Sequence, residues 1–178
     1  MLASIWLQPI GEARSRLQDL IASLTARHET VPFQPHLTVC GAPDLTAAQS
    51  DAAADYVRRC GLLPFTLRKI GISYSTTAPF KAVVIDVENT PELRRFREDL
   101  RRITGAAEPE PPHISLLYTI DERAQRTSWS ANETRLSAIA AECAARVEDA
   151  QFILDHAVVV APDGDWTNIG SWKIAREL

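Results

Sequence analysis

A chain of 178 residues, 46% hydrophobic and 24% charged, has the size and composition of one globular domain, and residues 1–178 are read as one. Its net charge of −4 leaves no basic surplus to neutralise a polynucleotide backbone, which argues against long nucleic acid as a partner and still permits a single nucleotide. No apolar run reaches the roughly 20 residues that cross a bilayer, and the opening MLASIWLQPIGEARS lacks a basic lead and a cleavage pattern, so a cytoplasmic monomer without membrane contact is expected.

In chain order, residues 3–9 read as a strand closed by Pro9, and 11–27 as an amphipathic helix with Leu17, Leu20, Ile21 and Leu24 at helical spacing. Pro32 and Pro35 mark a loop feeding the short strand HLTVC, which Gly41 and Pro43 end. Thr46 is placed to cap a helix running to Cys60 and stopped by Gly61. PFTLRKIGISYS and KAVVIDV, joined by the turn TTAP, read as an antiparallel hairpin with its second strand at 81–87. Thr90, Pro91 and Glu92 open a third helix carrying Leu93, Phe96, Leu100 and Ile103 on one face, and Gly105 closes it. The loop EPEPP delivers HISLLY at 113–118; a fourth helix over 131–147 and two long strands, 150–161 and 167–176, complete the chain. Cys40, Cys60 and Cys143 form no CxxC pair and read as small apolar core residues.

The unit strand, helix, loop, Pro-His, strand occurs twice, ending once at His36 and again at His113. Such an echo predicts an α+β fold of two pseudo-symmetric lobes, each an antiparallel sheet with helices on its outer face, and a cleft between the lobes.

PHLTV at 35–39 and PHISL at 112–116 carry the chemistry. Strand side chains alternate between faces, so His36 shares a face with Thr38, and His113 shares one with Ser115, roughly 6–7 Å along each strand. Two imidazoles and two hydroxyls converging on one cleft suit phosphodiester hydrolysis. One neutral His takes a proton from water while the other, protonated, donates to the leaving oxygen, and the hydroxyls donate to the non-bridging oxygens. One His-x-Thr pattern alone is better explained as a satisfied buried histidine; the second copy, with the same preceding Pro, shifts the weight to function. Zinc is the competing reading of paired histidines, but no acidic residue lies within either motif, so no metal and no organic cofactor is expected. His28, at a helix end that favours a cation, and His156, on a strand away from the motifs, read as structural.

These paired motifs resemble the 2H phosphoesterase superfamily, named for two His-x-Thr/Ser-x motifs, and within it the cyclic phosphodiesterases of plants and yeast. SIWLQP at 4–9, APFKAVVIDVENTPEL, HISLLY and the closing WTNIGSWKIARE are each similar to segments of that subgroup, so the resemblance spans nearly the whole chain. It implies hydrolysis of a nucleoside 2′,3′-cyclic phosphate or of ADP-ribose 1″,2″-cyclic phosphate. By the resemblance His36 and His113 are the acid–base pair, Thr38 and Ser115 the phosphate donors, Tyr118 a further contact, and Trp6 and Phe80 base-stacking residues. Tyr118 lies an odd number of positions from His113, so its part requires a bend after Leu116. Lys81 stands where relatives often carry an uncharged residue; it either favours an extra substrate phosphate or is a solvated strand residue. RNA-directed members of the superfamily usually follow the first motif with a Phe-Leu-Gly-like segment, whereas this chain has VCGAPD. Two rivals remain: such an RNA-directed enzyme (2′–5′ RNA ligase-like, or acting on RNA cyclic-phosphate ends), and a nucleotide-binding module without turnover.

Overall fold

The structure, a computed structural model, describes residues 3–42, 44–107, 110–121, 126–127, 133–164 and 168–178. The first repeat unit consists of strand β1 (Ala3–Pro9), helix α1 (Gly11–His28) and strand β2 (Leu37–Ala42). Helix α2 (Ala47–Cys60) and strand β3 (Phe65–Tyr74) lead to the second unit, strand β4 (Val83–Val87), helix α3 (Pro91–Thr104) and strand β5 (His113–Leu117). Two short strands, β6 (Ile120–Asp121) and β7 (Arg126–Thr127), precede helix α4 (Glu133–Arg146), long strand β8 (Gln151–Ala161) and β9 (Lys173–Glu177).

Local chemistry explains the helix boundaries. Thr46 and Gln49 form a reciprocal capping box at the start of α2, and Thr90 accepts from the Leu93 N–H at the start of α3 with Pro91 in the first turn. Each such cap contributes about 1 kcal/mol. Both helices end on a glycine in the left-handed region, Gly61 at φ 62° and Gly105 at φ 72°, where a side chain would be strained.

Seven strands join in the order β1-β2-β5-β4-β3-β8-β9, all antiparallel, and β1 also pairs with β8. Leu154 of β8 faces Pro9 on one edge and Phe65 on the other, so β8 is shared by two lobes. One lobe is β9-β8-β1-β2 and the other β8-β3-β4-β5; they meet again at the single pair Leu37–Ile114 between β2 and β5. This is the expected α+β fold with two related lobes. The helices cross between units: α1 packs on β5, α3 on β2, and α4 covers β3 and β4. Helices α1 and α3 therefore each bury an apolar stripe against the other unit's strand, and one continuous core holds Leu17, Ile21, Leu37, Leu93, Phe96 and Ile114.

The same irregularity marks both units. Between Ile5 and Trp6 the β1–β2 register moves from Cys40 to Thr38, leaving Val39 as an extra residue on β2. Between Val83 and Val84 the β4–β5 register moves from Leu117 to Ser115, leaving Leu116 extra on β5. Each bulge lies three residues after its histidine.

Some boundaries differ from the sequence reading. Residues 79–81 form a 3-10 turn led by Pro79, so the strand expected from Lys81 begins at Val83. The last strand is likewise shortened by a 3-10 turn at Ile169–Ser171, where the Ser171 hydroxyl donates to the Asn168 carbonyl. Of the helix expected over 131–147, positions 131 and 132 lie outside the described residues. Cys40 and Cys143 are buried and Cys60 is half-buried; all three are free thiols. No helix among the described residues is long and apolar enough to cross a membrane.

Candidate active site

The Leu37–Ile114 pair is the centre of the site. Leu37 and Ile114 point into the core, so the flanking residues point to the opposite, concave face. Extending the antiparallel register one residue each way sets His36 opposite Ser115 and Thr38 opposite His113. Each imidazole thus faces the hydroxyl of the other motif, and the two histidines lie on a diagonal whose Cβ separation is about 7–8 Å.

Both rings are anchored alike. His36 Nδ1 donates to the Gln34 carbonyl at 2.7 Å, and His113 Nδ1 donates to the Pro111 carbonyl at 2.9 Å. A carbonyl can only accept, so the proton sits on Nδ1 and each Nε2 is left with its lone pair. Burial is the largest influence on both. For His36 burial and, to a lesser degree, the nearby His113 outweigh the rise from the Gln34 carbonyl and bring it down to about 4. Burial also lowers His113; the Pro111 carbonyl opposes this, Lys81 adds to it, and Glu110 and Asp86 oppose it. Both imidazoles are therefore neutral near pH 7.

The hydroxyls are set differently. Thr38 is half-buried, whereas Ser115 is buried and donates to the Phe80 carbonyl at 3.1 Å. The Leu116 bulge supplies the bend that Tyr118 requires: Leu117 turns into the core and Tyr118 returns to the concave face beside Ser115. In the first unit the corresponding bulge brings Gly41, paired with Ser4, to that position, so only one half of the site carries a tyrosine.

Aromatic rings close over this face. Trp6 stacks on His36 with centroids 3.5 Å apart, Phe33 stacks on Tyr118 at 3.8 Å, and Trp172 meets Trp6, Phe80 and Tyr118 edgewise or tilted at 5.5, 6.0 and 5.9 Å. Beside them a pocket of about 260 Å³ is lined by Trp6, Phe33 and Trp172 with the amides Gln18 and Gln34. Phe80 lies across Trp172 and does not line that pocket. Phe33 and Trp172 were given no role by the sequence reading; the run Phe33-Gln34-Pro35-His36 holds the missed signal, since a ring three residues before the histidine can reach back over it.

Lys81 lies in the 3-10 turn rather than on the strand, and pairs with Glu110 at 2.6 Å on the approach to His113. His28 accepts at Nδ1 from Arg135, and burial with the neighbouring guanidinium groups disfavours its charge despite the helix end it occupies. His156 is not remote from the motif face, since it pairs with Gln8, one position beyond Leu7 on the strand carrying Trp6, and its Nε2 lies 3.6 Å from Glu177. Among the described residues, no three His, Cys, Asp or Glu side chains gather where they could hold a metal ion.

No family model matches the chain. It is 30% identical over 118 residues to the cyclic phosphodiesterase of Arabidopsis thaliana; the match covers 65% of this chain and 64% of the plant protein, just under two thirds of that relative's length. Among solved structures, E. coli LigT complexed with phosphate aligns with 99% of this chain and 95% of its own at a TM-score of 0.58 and 14% identity. A structure described as a phosphoesterase aligns with 99% of this chain and 96% of its own, with a TM-score of 0.61 and 13% identity. At such identities these likenesses speak for the fold.

Proposed function

We propose that this chain, a member of the 2H phosphoesterase superfamily, hydrolyses a small cyclic phosphodiester, either a nucleoside 2′,3′-cyclic phosphate or ADP-ribose 1″,2″-cyclic phosphate, using His36 and His113. What supports this reading is that both imidazoles flank the Leu37–Ile114 pair and are each fixed through Nδ1 to the carbonyl two residues earlier, so that the extended register brings each beside the other motif's hydroxyl.

In-line attack needs a base on one side of phosphorus and an acid on the other. Both imidazoles are neutral in the free protein, and an anionic phosphodiester entering between them favours protonation, so one ring takes up a proton from solvent. The neutral ring's Nε2 accepts a proton from water as the water oxygen bonds to phosphorus. The charged ring gives its proton to the ribose oxygen as that P–O bond breaks, and the product is a phosphomonoester. Thr38 donates to one non-bridging oxygen. Ser115 turns its hydroxyl from the Phe80 carbonyl to another, with Tyr118 beside it as a further contact. Trp6 supplies aromatic surface to the nucleoside, and Phe80 lies behind it across Trp172.

Two features favour a small nucleotide over an RNA chain: the pocket beside Trp6 is small, about 260 Å³, and the chain's net charge is −4. The structural neighbour LigT has been solved with phosphate bound, which agrees with a phosphoryl ligand. The deciding experiment is steady-state hydrolysis of 2′,3′-cyclic AMP. Wild type is expected to turn over, and His36→Ala and His113→Ala to lose roughly 10²–10⁴-fold each while remaining folded. Near-native rates in either variant overturn the acid–base reading, and binding without product makes the chain a nucleotide-binding module.

A further inference from the structure

The pocket beside Trp6 has aromatic walls, but two glutamines give it a polar edge. Gln18, from α1, donates its Nε2 to the Phe33 carbonyl at 3.2 Å. A carbonyl accepts only, so Gln18 presents its Oε1, an acceptor, to the remaining space. Gln34 accepts at Oε1 from Gln8 Nε2 at 2.7 Å and retains its own Nε2, a pair of N–H donors. Gln8 fixes this orientation. It is 1% exposed, and its Oε1 has no hydrogen-bond partner among the described residues. The reverse arrangement would bury an unsatisfied N–H pair in place of an unsatisfied oxygen, which is the rarer and costlier defect. The pocket therefore carries one preset acceptor and one preset donor beside three aromatic rings.

We propose that Gln18 and Gln34 read the hydrogen-bonding edge of a nucleobase seated against Trp6 and so make the reaction depend on the base. The inference rests on the cyclic phosphodiesterase reading above. A base offers a flat ring for the aromatic walls and a neighbouring donor and acceptor for the two amides; a base-free cyclic phosphate offers neither. Gln34 also links recognition to chemistry, because its backbone carbonyl anchors His36 Nδ1. A base drawn onto its side chain settles the segment that orients the imidazole.

The test compares kcat/KM for 2′,3′-cyclic AMP with that for glycerol 1,2-cyclic phosphate in wild type, Gln18→Met and Gln34→Met. In parallel, adenosine 2′-monophosphate is titrated against tryptophan fluorescence. Wild type is expected to favour the base-bearing substrate at least tenfold, and each Met variant to lower that ratio by about tenfold, the worth of one good hydrogen bond. Weaker quenching by adenosine 2′-monophosphate in both variants is expected alongside. If wild type hydrolyses both substrates and neither variant changes the ratio, the amide assignment is wrong and the hydrolase reading stands. If nothing is hydrolysed while quenching still depends on both amides, the pocket assignment holds and the hydrolase reading falls. Quenching insensitive to either amide overturns the proposal whatever the turnover.

Discussion

Trp6 lies flat on His36, with ring centroids 3.5 Å apart and planes 7° from parallel. The bulge opposite these strands sets this contact, since the shifted register places Trp6 against Thr38 and its ring beside the histidine two positions earlier. An indole face attracts a cation, so the stack would favour imidazolium if water reached it. His36 is only 4% exposed, and loss of hydration dominates. The ring is therefore kept neutral at rest and gains charge only when an anion arrives.

That depressed pKa makes stability depend on pH. His36 titrates near 4 when folded and near 6.5 when unfolded, so between those values the unfolded chain binds the extra proton. Stability from this residue is fully present above about pH 6.5 and is lost as pH falls toward 4, by about 3 kcal/mol in all. Thermal melts of wild type and His36→Gln across this range should show the wild type's melting temperature falling more steeply with acid. Parallel curves for the two proteins would mean that His36 is not buried neutral.

Much of this arrangement is legible in the sequence because it depends on periodicity. Alternation places His36 with Thr38 and His113 with Ser115, and the repeated Pro-His unit predicts paired lobes. What periodicity cannot show is an inserted residue. The bulges at Val39 and Leu116 have no marker in VCGA or LLYT, yet they return Tyr118 to the concave face and leave Gly41 at the matching place. The crossing of α1 and α3 onto each other's strands is likewise a long-range packing outcome, invisible to any local pattern. Lys81 was ambiguous because its ion-pair partner Glu110 lies 29 residues away.

The Leu116 bulge gives Tyr118 a specific task. Its ring is held between Phe33 and Phe80 on the face that carries Ser115. Tyr118→Phe keeps the ring packing and removes the hydroxyl, so the melting temperature should change little while kcat/KM falls roughly tenfold, the worth of one hydrogen bond in the site. Steady-state kinetics on 2′,3′-cyclic AMP check this. Unchanged kinetics would make the tyrosine a packing residue alone.

Lys81 and Glu110 act on His113 with opposite sign: the ammonium lowers its pKa and the carboxylate raises it. Lys81→Met should therefore shift the His113 titration to higher pH, and Glu110→Gln should shift it to lower pH. The histidine resonances followed by NMR through a pH titration read this directly, and the matching limb of the kcat/KM profile should move the same way. Shifts of equal sign in the two variants would contradict the charge arrangement described for this flank.

The seam between β2 and β5 is the shortest in the sheet, a single residue pair, yet the two motifs meet there. Arg97 of α3 ties the two motifs together beside this pair. Its Nε donates to the carbonyl of Val39, the bulged residue of β2, and its Nη2 donates to the carbonyl of Glu110, in the loop that delivers His113. The guanidinium is 5% exposed and meets no carboxylate among the described residues, so burial lowers its pKa. A buried cation satisfied only by carbonyls contributes little net stability, because desolvation offsets much of its hydrogen bonding. Its effect should instead appear in geometry, since a 1 Å displacement of reacting groups costs on the order of 10²-fold in rate. Arg97→Met should thus lower kcat by at least about tenfold with KM within about threefold, and Arg97→Lys should recover only part, because one ammonium cannot span both carbonyls. Kinetics paired with thermal melts decide the matter: a variant that melts early but keeps its kcat would make Arg97 a stabilising residue with no hold on the spacing of His36 and His113.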